Sequence, residues 1–477
     1  MFLHIVIPII YTKNRKIYYM KDLTKGNPFK TLILFMMPIL LSYLFSQIYN
    51  LCDLAIVSNT IGIDALAGIT SSGWLYGLII NLSFGLIVGF SVCTAQKFGA
   101  HDDAGVKKSF SQGIMLAGII GTAITILACS LAHPLLRMLR TKELFYDYAY
   151  EYIIVIFAGI LITTFNYLFI NTLRAIGDSK MPLIFLLISV VVNVGFDYLF
   201  ILTFKMGVAG AAIGTILSQL VSLIISAIYT FVKYPVFRLK LKDFKPDKEI
   251  IKAELYIGIP MAFQSSLIMI GLLFVQGSLN NLPEIYVQAF GISSKVDNLL
   301  STVLNALGTA LAIFVGQNYG ARDYSKIKAG IKSAIIMSVI VSIVTGLLLI
   351  FASKPLVRLF LPETMETKEM MKIINQYFIM IGCTYNFLGL ILVYRNALQG
   401  INKSMYVMIG GAIELVTRFV MAMLADSFLN YTGIVASLFV CWIFTGIFLA
   451  GAWYRNTKSL EKHLLFHDVV HQGLELQ

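Results

Sequence analysis

The sequence has few charged residues: Asp, Glu, Lys and Arg together make up 13% of its 477 residues. About a quarter of the residues are charged in a typical soluble domain. A chain that is 58% hydrophobic, with a mean hydropathy of +0.81, is therefore not a soluble globule. Cysteine is also scarce, and the five cysteines stand singly in apolar runs. Such cysteines are expected to be small apolar side chains in lipid rather than disulfides or metal ligands.

Catalytic and nucleotide-binding motifs are missing. The chain has no Walker A glycine loop, no His-Glu-x-x-His and no Gly-x-Ser-x-Gly elbow, so it is not expected to be an enzyme or to use a cofactor. The net charge of +12 comes without a basic groove or stacking motif, so no nucleic-acid partner is expected. Transport by such a chain would have to be driven by an ion gradient.

The sequence consists mainly of long apolar runs, so the protein is expected to lie in a lipid bilayer. A helix needs about 20 apolar residues to cross the hydrocarbon. Twelve such spans are predicted, at about 31–52, 72–95, 109–132, 149–173, 181–204, 207–232, 255–280, 286–314, 331–352, 373–397, 405–428 and 432–454. Loops on the side of the N-terminus, with Arg395 counted among them, carry 27 Lys and Arg against 8 on the other side, which places both termini in the cytoplasm.

The two ends of the chain are unusual. Residues 1–19 hold an apolar run too short to span, with its positive charges behind it, so they are not a signal peptide and translation is expected to start at Met20. In the C-terminal tail, His463, His467 and His471 lie four residues apart. A metal site is one interpretation, and a short amphipathic helix on the membrane surface is the favoured one.

The spans divide into two repeated halves. Ala95-Gln-Lys-Phe-Gly-Ala-His-Asp reappears as Gly316-Gln-Asn-Tyr-Gly-Ala-Arg-Asp, and Asn171-Thr-Leu-Arg-Ala-Ile-Gly-Asp-Ser as Asn396-Ala-Leu-Gln-Gly-Ile-Asn-Lys-Ser. Pro38 and Pro260 are a third pair. Because each half holds six spans, both have the same orientation, and an axis along the membrane normal should relate them.

The prediction is thus an all-α membrane protein of twelve transmembrane helices in two six-helix lobes related by a pseudo-two-fold along the membrane normal. The expected segments are a cytoplasmic N-terminal part (1–30), an N-lobe (31–232), a cytoplasmic linker (233–254), a C-lobe (255–455) and a cytoplasmic tail (456–477).

Asp53 is the first candidate functional residue. A carboxylate on a membrane-spanning helix costs a few kcal/mol, so it should face protein or a water-filled cavity. In a helix it shares a polar face with Ser42, Ser46, Tyr49 and Asn50.

Spans five and six offer partners for Asp53. Asn193 and Asp197 are four apart on one helix face, and Thr215 lies on span six. Two carboxylates with amide and hydroxyl neighbours can bind Na⁺, or one of them can bind a proton. Interhelical hydrogen bonds that only pack the bundle are the alternative.

The second half does not repeat these acids. At an offset of 221, Asn193 and Asp197 correspond to Glu414 and Arg418, which are four apart and can pair on one helix face. Pairing removes most of their net charge, which favours a structural or gating salt bridge over a coupling site.

These pieces resemble the multidrug and toxic compound extrusion (MATE) family over about residues 20–455. The matching motifs are Gln47-x-Tyr49-Asn50-x-x-Asp53, the repeated Gln96 and Gln317 loops, Leu173-Arg-Ala-Ile-Gly-Asp, and Asn193-x-x-x-Asp197 with Thr215. The resemblance implies an antiporter of the bacterial inner membrane that exports amphipathic, often cationic, drug-like compounds in exchange for Na⁺ or H⁺.

The resemblance also implies an N-lobe cation site at Asp53, Asn193, Asp197 and Thr215, supported by Gln47, Tyr49 and Asn50. No other metal site is expected, and the chain is expected to be a monomer. Two alternatives stay open. One is a lipid-linked oligosaccharide flippase, which should line its cavity with several cations, and the other is a membrane receptor or scaffold.

Overall fold

A computed structural model describes residues 22–138, 143–361 and 367–474 of the protein, and these residues form helices joined by short connections. Residues 1–19 and Met20, at which translation is expected to start, lie outside the described part. The helices are α1 (Pro28–Thr60), α2 (Ile63–Gly99), α3 (Asp103–Met138), α4 (Glu143–Ala158), α5 (Ile160–Ala175), α6 (Lys180–Asp197), α7 (Gly207–Lys233), α8 (Lys248–Leu279), α9 (Glu284–Gly320), α10 (Tyr324–Phe351), α11 (Ser353–Arg358), α12 (Lys368–Gly400), α13 (Ser404–Leu424) and α14 (Asn430–Leu474).

Twelve spans are confirmed. Eleven described helices are long and apolar enough to cross a membrane, and α4 and α5 together make the twelfth, with a bend of 51° between them. The bend falls at Gly159, where a β-carbon would lie 2.2 Å from Cδ1 of Ile216. The side chain of Ile216 on α7 therefore occupies the space that any larger residue would need.

Helix α1 begins where the sequence supplies a cap. The Asn27 side chain accepts a hydrogen bond from the amide of Phe29 at 2.9 Å, and Pro28 occupies the first helical position. An Asn cap followed by Pro satisfies one orphan amide and removes another, which favours a helix start. Pro38 inside α1 and Pro260 inside α8 stand at equivalent places, as the repeat predicts.

The helices form two lobes, α1–α7 and α8–α14. The lobes meet where α2 packs against α8 and where α1 and α2 pack against α9. Small residues allow the backbones to approach, because a β-carbon on Gly89 would lie 2.3 Å from Cα of Gly258. The two-lobe architecture predicted from the repeats is confirmed.

The connection between the lobes is fixed to the start of α3. Lys107 Nζ lies 2.6 Å from Asp243 Oδ2, and Lys108 Nζ lies 2.5 Å from Asp247 Oδ2. The hydrogen bond from Lys107 holds the pKa of Asp243 below its ordinary value, and the hydrogen bond from Lys108 does the same to the pKa of Asp247. Asp247 also caps α8.

The C-terminal tail continues the last span. Helix α14 runs from Asn430 to Leu474 without a break, so His463, His467 and His471 lie on its C-terminal part rather than on the separate short helix that was expected. The physical reason is that residues 452–472 contain neither glycine nor proline, the residues that most often end a helix.

Candidate functional site

Asp53 of α1 and Asp197 of α6 meet inside the N-lobe. Their relative exposures are 7% and 0%, and the two carboxyl groups are within hydrogen-bonding reach of each other. The residue spacing placed each acid on the inner face of its helix, and the packing of α1 against α6 brings the two faces together.

The other two predicted residues complete the group. Asn193 Nδ2 donates to Asp197 Oδ1 at 3.3 Å, and the hydroxyl of Tyr49 donates to Thr215 Oγ1 at 3.3 Å. Asn193 and Thr215 are both buried. The structure thus brings Asp53, Asn193, Asp197 and Thr215 into one cluster from three helices, which we call the N-lobe cluster.

The N-lobe cluster contains acceptor oxygens without donors. Asp53 Oδ1 and Asp197 Oδ2 are buried, and neither has a hydrogen-bond partner among the described residues. Two adjacent buried carboxylates repel each other and lack the water that would stabilise them. A Na⁺ ion or a proton placed between them would remove both costs, so the geometry suits either cation.

The backbone is irregular at this point. Helix α6 ends at Asp197 and continues as a π-helical turn over Tyr198–Thr203, an arrangement that is rare and often found at functional sites. Gly214 of α7 lies against the carboxylate, since a β-carbon there would be 2.5 Å from Asp197 Oδ1. Glycine at this position lets α7 approach Asp197.

The predicted polar face of α1 is divided in the structure. Tyr49 joins the N-lobe cluster, Gln47 lines the cavity between the lobes, and Asn50 is exposed. Tyr76 and Tyr152 also lie near Asp53, and the sequence analysis did not identify them. With 24 tyrosines in the chain, no spacing distinguishes these two from the rest.

The charged residues of the C-lobe form a different group. Arg418 Nη2 lies 3.1 Å from Glu414 Oε2, as predicted, but Arg395 on α12 also donates to Glu414. Arg395 is therefore inside the bundle rather than in a loop. The group holds two arginines and one glutamate, so pairing leaves a net charge of +1, contrary to the expectation of near neutrality.

The structure also changes the repeat alignment in this region. Helices α6 and α13 begin at Lys180 and Ser404, an offset of 224, so the offset of 221 does not hold here. Asp197 then corresponds to a position near Ala422 rather than to Arg418. The loop match before span five, at 225, already carried this signal.

A cavity of about 470 Å³ lies between the lobes. Its walls come from α1, α2, α5, α8, α9 and α12, and many of the lining side chains are uncharged polar groups. These are Tyr43, Ser46, Gln47, Asn81, Ser91, Asn171, Gln264, Ser265, Asn298, Ser301, Thr302, Asn305, Thr309, Asn396 and Gln399. Among the described residues that line it, Arg395 is the one with a formal charge.

The cavity is closed at the end where α2 and α9 terminate. A β-carbon on Gly99 would lie 1.8 Å from the carbonyl oxygen of Gln317, and one on Gly320 would lie 1.8 Å from that of Gln96. We call this contact the glycine seal. At the other end, a β-carbon on Gly73 would meet no atom within 4 Å.

Close contact between the lobes extends inward from the seal. On the side of the glycine seal, Gly85 and Gly89 of α2 contact the backbone of α8. Further along α2, a β-carbon on Gly77 would meet the flexible end of the Met269 side chain at 2.8 Å rather than backbone. The backbones of the lobes therefore meet on the side of the seal.

Two six-helix lobes, a central cavity closed at one end and a buried acidic pair define a multi-pass membrane transporter of the parallel-repeat type. The family model MatE matches residues 38–199 and 260–424, and the chain belongs to this family. Its members are transporters, not enzymes, and they include multidrug efflux proteins.

Individual relatives agree with this. The chain is 28% identical over 440 residues to the probable multidrug resistance protein YpnP of Bacillus subtilis, covering 91% of this chain and 96% of that protein. It is 21% identical over 361 residues to an FAD transporter of Shewanella oneidensis, covering 75% and 79%. A solved outward-facing multidrug resistance MATE family transporter has the same fold, with a TM-score of 0.86 at 24% identity, covering 94% of this chain and 99% of that one.

Proposed function

We propose that the protein exports amphipathic organic compounds in exchange for Na⁺ or H⁺, and that the N-lobe cluster is the cation site. The observation that carries this proposal is the pair of buried, donor-free oxygens on Asp53 and Asp197. Asn193 and Thr215 supply the amide and hydroxyl groups around the pair. No cofactor takes part.

Cation binding would change the balance between two arrangements of the lobes. An ion or proton between Asp53 and Asp197 neutralises charge that is costly in a low-dielectric interior. A ligand shifts a conformational equilibrium by the difference in its affinity for the two states. The cavity would then face the two sides of the membrane alternately, and export of a compound would be coupled to entry of a cation.

The excess of Lys and Arg on one side supports a location in a bacterial inner membrane with both termini in the cytoplasm. With that orientation, the glycine seal lies on the cytoplasmic side and the cavity opens outward. We propose that the protein is a monomer surrounded by lipid, because the two lobes of a single chain line the cavity between them. The proposal does not restrict the exported compounds to cations, because no acid is among the described residues that line the cavity.

The two alternatives have less support. A flippase for lipid-linked oligosaccharides would need several cations for a pyrophosphate, and the described lining holds Arg395 alone. A receptor or scaffold would gain nothing from two buried acids that each keep one oxygen without a donor, because such acids are costly in a membrane.

The test is efflux of a fluorescent amphipathic dye from proteoliposomes in which Na⁺ and pH gradients are imposed separately. The Asp53→Asn variant should lose gradient-driven efflux while inserting normally. Asp64→Asn is the matched control, because Asp64 is an exposed acid in the first turn of α2. Normal gradient-driven efflux by Asp53→Asn would overturn the proposal.

A further inference from the structure

The charged group of the C-lobe lies at the wall of the cavity. Arg395 both lines the cavity and donates to Glu414, which also accepts from Arg418 at 3.1 Å. The side chains of Arg395, Glu414 and Arg418 have relative exposures of 13%, 4% and 5%. Three ionised groups are thus withdrawn from water beside a cavity whose other described lining residues are uncharged.

The charges in this group do not balance. One carboxylate cannot satisfy two guanidinium groups, each of which carries five N–H donors in a fixed fork. Arg395 Nε, Arg418 Nε and Arg418 Nη1 are buried and have no partner among the described residues. A buried positive charge without a partner costs several kcal/mol, so the site is incomplete as it stands.

The packing holds the group in place. Gly271 of α8 lies against Arg418, since a β-carbon there would be 3.2 Å from Cδ of that residue, and Gly411 of α13 lies against Gln264. Helices α8 and α13 therefore pack closely around the side chain of Arg418. Arg395 comes from a third helix, α12, and is the member of the group that faces the cavity.

Polar neighbours could complete a ligand site around Arg395. Asn396 and Gln399 follow it on α12, and Gln264, Asn298 and Asn305 face the same cavity. Amide side chains can donate to an anion and can also accept from its hydroxyl or amine groups. A guanidinium binds a carboxylate or a phosphate through two parallel hydrogen bonds.

We propose that Arg395 is the anion-binding residue of the central cavity, and that the compounds this protein carries include amphipathic organic anions bearing a carboxylate or phosphate. Glu414 and Arg418 position Arg395, because Glu414 holds its guanidinium while Arg418 offsets the charge of Glu414. The inference rests on the proposed export function, yet binding to Arg395 is measurable without any gradient.

The test compares two probes that differ in one group. Dansylglycine carries a carboxylate, and dansylglycinamide carries a neutral amide on the same ring system. Binding to the purified protein in detergent is followed by fluorescence. The wild type should bind the carboxylate at least about tenfold more tightly than the amide, as expected for a charge-assisted hydrogen bond in a buried site.

Arg395→Gln should remove that preference, and Arg395→Lys should keep part of it, since Lys keeps the charge but not the fork. Lys295→Gln is the matched control, because Lys295 is an exposed cation of the same lobe outside the cavity lining. Equal binding of the two probes by the wild type, or an unchanged preference in Arg395→Gln, would overturn the proposal.

A second measurement on the wild type does not depend on how well a variant folds. Phenylglyoxal modifies arginine, and mass spectrometry reports which arginines have reacted. Dansylglycine should protect Arg395 and dansylglycinamide should not. Equal protection by both would also overturn the proposal. Because Asp53→Asn should keep the binding preference while losing efflux, failure of the cation site and failure of the anion site give different results.

Discussion

Gln96 and Gln317 make the same contact in opposite directions across the lobe interface. Gln96 Nε2 donates to the carbonyl oxygen of Gly400 at 2.8 Å, and Gln317 Nε2 donates to that of Ala175 at 2.7 Å. Each glutamine follows its half's second span and reaches the end of the other half's fourth span. The repeated loop motif therefore has a structural role: it joins the two halves reciprocally on the side of the glycine seal.

Replacing Gly320 with alanine should open this side. The new β-carbon would lie 1.8 Å from the carbonyl oxygen of Gln96, and no side-chain rotation can relieve a clash with backbone. We expect a larger distance between spin labels attached through Ala104→Cys and Ser325→Cys, two exposed positions at the starts of α3 and α10. Electron–electron double resonance in a background without native cysteines measures that distance.

Gly291→Ala on the same helix is the control for Gly320→Ala, since a β-carbon there meets nothing within 4 Å. It should leave the distance distribution unchanged. An unchanged distribution for Gly320→Ala would show that the seal does not hold the lobes together.

Gly214→Ala should damage the N-lobe cluster without removing an acid. The added β-carbon would lie 2.5 Å from Asp197 Oδ1, the oxygen that accepts from Asn193, so the carboxylate must shift from its present position. We expect the cation concentration for half-maximal efflux to rise about tenfold, the effect of roughly 1.4 kcal/mol of lost binding. Gly195→Ala, on Asp197's own helix but with open space around it, should behave as wild type. Equal cation dependence in both variants would contradict the placement of Asp197 in the site.

Glu414→Gln should destabilise the protein more than Arg395→Gln. Loss of the carboxylate leaves two arginines buried without an acid, which costs about 3–5 kcal/mol. Loss of Arg395 leaves Glu414 paired with Arg418 at 3.1 Å. Thermal unfolding in detergent, followed by circular dichroism, should show a clearly lower midpoint for Glu414→Gln. A lower midpoint for Arg395→Gln than for Glu414→Gln would mean that Glu414 does not pair with both arginines.

The linker should loosen in acid. Because the pKa values of Asp243 and Asp247 lie below the ordinary 3.8, their contribution to docking is complete above that value and is lost as the pH falls below it. Hydrogen exchange of the linker amides, corrected for intrinsic rates, should stay constant above about pH 5 and increase below the ordinary value. Lys107→Gln should raise the exchange already at neutral pH and reduce the further increase in acid, because Asp243 then lacks the partner that lowers its pKa. An acid-induced increase of unchanged size in that variant would contradict the ion pair.

Much of the fold and part of the site follow from the sequence. Twelve apolar runs and three repeated motifs predict the two lobes, because lipid admits helices of a fixed length and each motif marks one place in each half. Asp53, Asn193, Asp197 and Thr215 were predicted by helix spacing and by resemblance, and the structure brings them together. Their role in cation coupling remains a prediction.

Other features depend on tertiary contacts that spacing does not encode. Arg395 stands five residues from the end of α12, so the sequence could not distinguish a loop position from a cavity wall. Gln47 and Asn50 are polar like Tyr49, yet they point away from the N-lobe cluster. Gln47 lines the cavity and Asn50 is exposed. From the sequence alone, Gly320 is indistinguishable from an ordinary loop glycine. Its role depends on the carbonyl oxygen of Gln96, which packs against it from the other lobe.

The glycine seal is made by main-chain atoms, and this has a consequence for leakage. A barrier of long side chains would fluctuate between rotamers and would admit water, and with it protons, between turnovers. A barrier in which Gly99 and Gly320 rest on carbonyl oxygens opens only when whole helices move apart. Ions should therefore be unable to slip through without a transport cycle, and the membrane's stored gradient would be conserved while the transporter is idle.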